Sequence, residues 1–158
     1  MIDTYLEALI RSMEDKKEVL LKLTESTKKQ KAAMEEENPD WIAFDKMLDE
    51  KGALIDRLAE LDDGFNAAFE RIKDELLADK DKYKPEIMKL KEQIAEVTEL
   101  GTSLSALENR NKDLVERRIN ERRRDVKKSR YTANAAGKYY SAMNRLNFID
   151  PQLMDKKK

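Results

Sequence analysis

WIAFDKMLDEKGALIDRLAELDDGFNAAFERIKDELL, residues 41–77, is the stretch that decides how this chain folds. Alternate steps of three and four from Trp41 land on Phe44, Leu48, Lys51, Ile55, Leu58, Asp62, Phe65, Phe69, Ile72 and Leu76. Apolar residues at nearly every step form one stripe along a helix, the seam of a coiled coil.

The same stepping extends outward in both directions. Before it lie Ile2, Leu6, Leu9, Met13, Lys16, Leu20, Leu23, Thr27, Gln30 and Met34, closed by EEENPD at 35–40. Pro39 suits a first helical turn, with Asn38 or Asp40 as the cap. After it, ADKDKYKPE at 78–86 places Pro85 to open another helix. The third seam reads Ile87, Leu90, Ile94, Val97, Leu100 or Gly101, Leu104, Leu107, Asn111, and Leu114 or Val115, slipping phase near Gly101. Helices are therefore expected over about 2–36, 40–77 and 84–128. Short connections make neighbours antiparallel. The expected fold is all-α: an elongated antiparallel three-helix coiled-coil bundle over 1–130, then a short, partly disordered or helical C-terminal tail over 131–158.

Folding the third helix back on the second brings Gly64 and Gly101 to one level, as a kink, a close approach or a shared hinge. The polar seam residues Lys16, Lys51, Asp62 and Gln30 fix register. Hairpin geometry sets Lys16 near Glu60 and Asp62, an expected ion pair.

Composition excludes several functions. Charged residues make up 41% and hydrophobic ones 40% of 158 residues, with few helix breakers, which fits long helices. Histidine and cysteine are absent, which removes imidazole bases, thiolate nucleophiles, disulfides and Cys/His zinc sites. With no phosphate loop either, no catalytic residue, cofactor or metal site is expected, and the chain reads as no enzyme. The N-terminus lacks the pattern of a secretory signal and no apolar run reaches a membrane span, so a cytoplasmic protein without membrane insertion is expected.

Arg117 to Arg130 carries eight basic and two acidic residues. Fold-back sets it beside the acidic start of the second helix, and opposed charge across an antiparallel pair reads as pairing rather than as a nucleic-acid site.

The tail is different in character. Tyr139, Tyr140, Met143 and Leu146 gather on one face of a short helix, between Gly137 and Pro151. Aromatic and methionine side chains are favoured at protein interfaces. Two readings stay open: the segment folds back over the bundle, or it is an arm that orders on a partner.

The plan of the chain resembles the FlgN-type flagellar export chaperones. The likeness rests on LTESTKKQKAAM in the first helix, on Glu50-Lys51 and Leu54-Ile55 in the second, on LSALENRNKDLV in the third, and on the terminal Phe148-Ile149-Asp150. It implies a chaperone that binds flagellar hook-associated (junction) proteins, prevents their premature association and delivers them to a component of the type III export gate. In that family the C-terminal region carries much of the substrate contact. Carried onto this chain, the resemblance makes Tyr139, Tyr140, Met143, Leu146, Phe148 and Ile149 the expected partner contacts. Alternatives are a filament-cap chaperone of the FliT type and a self-associating structural or regulatory coiled coil.

Overall fold

The computed structural model describes residues 2–121 and 126–146, the side chains of the latter stretch from residue 134 onward. It consists of α1 (Ile2–Glu35), α2 (Trp41–Ala78), α3 (Lys84–Glu121) and α4 (Val126–Asn144). No strand occurs among the described residues. The three long helices pack together as expected, each 34 or 38 residues in length.

The helix boundaries follow from local chemistry. Asp40 caps α2, its carboxylate accepting from the backbone amides of Ile42 and Ala43 at 3.1 Å each, which satisfies two of the amides a helix start leaves unpaired. The other end of that connection is closed from α3. The Arg118 guanidinium donates to the carbonyls of Met34 at 2.8 Å and Glu36 at 2.5 Å. A cation on the last carbonyls of α1 also complements the helix dipole. In the described part of the basic run, Arg118 thus pairs with backbone and also with the Glu121 carboxylate at 3.0 Å. The pairing expected for Arg122–Arg124 lies outside the described residues. The third helix was expected to reach about 128; described α3 ends at Glu121, and α4 begins at Val126.

Register is visible in the polar contacts. Lys16 pairs with Asp62 at 2.5 Å and Gln30 with Lys51 at 2.9 Å, so α1 and α2 are antiparallel as the hairpin requires. Lys17 meets Glu96 at 2.6 Å and Gln30 meets Asn111 at 3.0 Å, so α1 and α3 run parallel. The packing places α1 against both α2 and α3, and α4 against α2 and α3 as well. Thus α1 and α4 each bridge the other two helices.

The seams are buried almost as the spacing predicts. On α1 every predicted position is buried, with Val19 added. On α2, Leu61 replaces Asp62. On α3, Glu108 is buried and Leu107 is only half-buried.

The expected meeting of Gly64 and Gly101 does not occur. The contacts of Lys16 and Lys17 place Asp62 near the level of Glu96, so the two glycines stand about seven residues, roughly 10 Å, apart along the axis. Gly64 lies on an exposed helical turn, and a Cβ added there would meet no heavy atom within 4 Å. Neither a close approach nor a shared hinge accounts for it. Glycine inside a helix is about 0.5–1 kcal/mol less favourable than alanine. Gly64→Ala is therefore expected to stabilise the chain by up to about 1 kcal/mol, read as a higher urea midpoint at unchanged slope.

Candidate functional site: the α4 face and the polar layer beneath it

Four side chains of α4, Ala136, Tyr139, Tyr140 and Met143, join the same apolar core as the seams of α1–α3. Leu146 is partly buried against that core. The structure thus brings four of the six expected contact residues together on one face, and that face lies on the bundle. Phe148 and Ile149 lie outside the described residues. Gly137, which precedes Tyr139 and Tyr140 in sequence, sits within α4.

Beneath Tyr139 is a layer of buried polar groups from every long helix. Lys51 is fully buried and Glu108 is 2% exposed. Lys51 Nζ donates to Glu108 Oε1 at 2.6 Å and to Gln30 Oε1 at 2.9 Å, and Asn111 Nδ2 donates to the same Gln30 oxygen at 3.0 Å. The Thr27 hydroxyl lies against both the Leu23 carbonyl and Glu108 Oε1. From above, the Tyr139 hydroxyl donates to Glu108 Oε1 at 2.9 Å. Lys51 Nζ stands 4.4 Å from the centre of the Tyr139 ring. Tyr139 and Tyr140 meet edge to face at 5.3 Å between ring centres. The Tyr140 hydroxyl is buried with no hydrogen-bond partner among the described residues.

Burial shifts the titrations. It lowers the pKa of Lys51 below the usual lysine range, although the charge and hydrogen bond of Glu108 act in the opposite direction. It raises the phenols of Tyr139 and Tyr140, with the Glu108 carboxylate adding to both. The stability signs follow from proton binding. Between its lowered folded pKa and 10.5, Lys51 binds more proton unfolded, so its contribution to stability rises with pH. Above about 10 the two phenols bind less proton unfolded, so theirs falls. Docking of α4 is therefore expected to weaken as pH rises above 10. The double variant Tyr139→Phe/Tyr140→Phe should lack that alkaline loss when helix content is followed by circular dichroism against pH.

Sequence reading missed Glu108. The signal was present: strict alternation from Val97 runs through Gly101, Leu104, Glu108, Asn111 and Val115, whereas a preference for apolar letters selects Leu107. A charged seam residue on α2, Lys51, was itself a reason to look for an acid at a seam position on α3.

Between α2 and α4 lies an open groove of about 660 Å³, lined in part by Gly52, Ala53, Ala135 and Ala142 and by the charged Asp49 and Lys138. Small residues there leave α4 resting on α2 without filling the space between them. Among the described residues no cluster of acidic side chains could hold a metal ion, and no helix is long and apolar enough to cross a membrane.

A family model described as FlgN protein matches residues 1–145, nearly all of the chain and all four helices. The chain belongs to the FlgN family. No curated protein and no solved structure matches it significantly. FlgN membership identifies a flagellar export chaperone family rather than a family of catalysts. The match extends through Tyr139, Tyr140 and Met143, so in this FlgN chain the α4 face belongs to the family domain.

Proposed function

We propose that the chain is a cytoplasmic chaperone for flagellar hook–filament junction proteins. It covers the helical ends of unassembled subunits, keeps them from associating early and passes them to the type III export gate. The supporting observation is an apolar helical face carried on a helix much shorter than the three beneath it. α4 is 19 residues long, against 34, 38 and 38 for α1, α2 and α3, and an open groove lies between it and α2. A short element beside unfilled space opens at lower free energy than the core it rests on.

Residues 131–158 are the partner-binding tail in this reading and 1–130 the bundle that carries it. Tyr139, Tyr140, Met143 and Leu146, with Phe148 and Ile149, contact the partner once α4 leaves the bundle. An unassembled subunit offers an amphipathic helix, and helix-in-groove recognition reads apolar anchors one turn apart. Because the partner and the bundle compete for one face, net affinity is modest, about −8 kcal/mol or micromolar. Release at the gate requires no more.

Calorimetric titration of the full chain, and of a version ending at Arg130, against helical ends of junction proteins tests this. Micromolar binding that is lost on truncation is the expected result. Binding that survives truncation moves the site to the bundle. Absence of binding by both versions, with a lower melting temperature on truncation, overturns the proposal and leaves α4 as packing.

A further inference from the structure

At the level of Lys51 all four helices converge on one side chain, the Tyr139 phenol. The long helices present it with two charged groups, each almost wholly buried. Glu108 Oε1 accepts from the hydroxyl at 2.9 Å, and Lys51 Nζ stands 4.4 Å from the ring centre. A core position that merely needed filling would require neither. In the same layer Gln30 Nε2, Glu108 Oε2 and Asn111 Oδ1 are buried with no hydrogen-bond partner among the described residues. The layer thus has more hydrogen-bonding capacity than α4 uses.

We infer that Lys51 and Glu108 form a phenol-recognising socket, filled by Tyr139 when α4 is docked, and that a partner helix exchanging with α4 is selected for a tyrosine at this level. The cation attracts the face of any aromatic ring. The carboxylate adds a charge-assisted hydrogen bond that only a hydroxyl can donate. Phenylalanine supplies the first interaction and leaves Glu108 one donor short. Sites built to bond a hydroxyl reject the analogue that lacks it far more strongly than apolar pockets reject a missing methylene. The partner half of the inference rests on the chaperone reading above; the socket half does not.

The full-length Tyr139→Ala chain is titrated with p-cresol and with toluene. The expected result is that p-cresol raises the melting temperature of the variant and binds about tenfold or more tightly than toluene, as one hydrogen bond to a charged group implies. It leaves the parent unchanged, because Tyr139 already fills the socket. Adding Lys51→Met and Glu108→Leu to the variant abolishes the preference. Equal effects of the two compounds, or none from either, overturn the socket. If Tyr139→Ala does not fold, Tyr139→Phe and Tyr140→Phe answer the same question: the first must loosen α4 and the second must not. For the partner half, each tyrosine of a bound client helix is changed to phenylalanine, and one change is expected to weaken binding about tenfold. No such change overturns selection for tyrosine and leaves the chaperone reading standing. Failure of every client helix to bind sinks the chaperone reading and leaves the p-cresol result intact.

Discussion

Lys51→Met alone is expected to destabilise the chain by about 3–5 kcal/mol, because it leaves the Glu108 carboxylate buried without its cation. Glu108 is 2% exposed and shares Oε1 with Lys51, Thr27 and Tyr139. Removing the ammonium takes away the only full positive charge within that hydrogen-bonded set. The direction of the Lys51 pKa shift shows the balance: burial outweighs the attraction of Glu108. A buried pair of this kind stabilises little over apolar residues of the same volume, and breaking it is what costs. The triple variant Lys51→Met/Glu108→Leu/Tyr139→Phe, which removes cation, anion and phenol together, should therefore recover most of the loss. Thr27 keeps the Leu23 carbonyl at 2.7 Å and Gln30 Oε1 keeps Asn111, so neither oxygen loses its last partner. Equilibrium urea unfolding measures all three chains. A single variant within about 1 kcal/mol of the parent would show that Lys51 does not hold the pair.

Tyr139→Ala is expected to cost about 3–5 kcal/mol, the range for emptying a buried aromatic site. It also removes one donor from Glu108. The loss falls first on α4, since α1–α3 keep their own seams. Amide exchange should accelerate across 134–146 and stay slow in the middle of α1. The adjacent residue responds in the opposite way. The Tyr140 hydroxyl is buried and finds no hydrogen-bond partner among the described residues. Tyr140→Phe removes a polar atom whose burial without a bond costs about 1–3 kcal/mol, so stability should hold or rise. Equal damage from Tyr139→Phe and Tyr140→Phe would contradict the docking of α4 seen here.

The placement of α4 also bears on the aromatic residues that this chain carries at 139 and 140. Tyr139, Tyr140 and Met143 read from sequence as an apolar face that either the bundle or a partner could cover. In the structure their first partner is the bundle itself. Periodicity reveals that a face is apolar and not what covers it, because any helix of matching shape satisfies the same stripe. Glu108 illustrates the limit from the other side. Its seam position follows from strict spacing, but its pairing with Lys51 joins residues 57 apart in sequence. Only the relative register of α2 and α3, set with α1 between them, decides that contact.

Sequence alone determined the first two long helices and the start of the third, the break at Pro39, Pro85 in the opening turn of α3, and most of the buried stripe from Ile2 to Leu76. Each depends on local dihedral preference and a repeat that neighbouring turns enforce on one another. Tertiary structure alone decided that Gly64 and Gly101 stand apart, that Arg118 closes α1, and that Tyr139 comes to rest on Lys51 and Glu108. Those facts depend on axial offsets between helices, and an offset is the summed outcome of packing along whole seams that no single stretch of residues encodes.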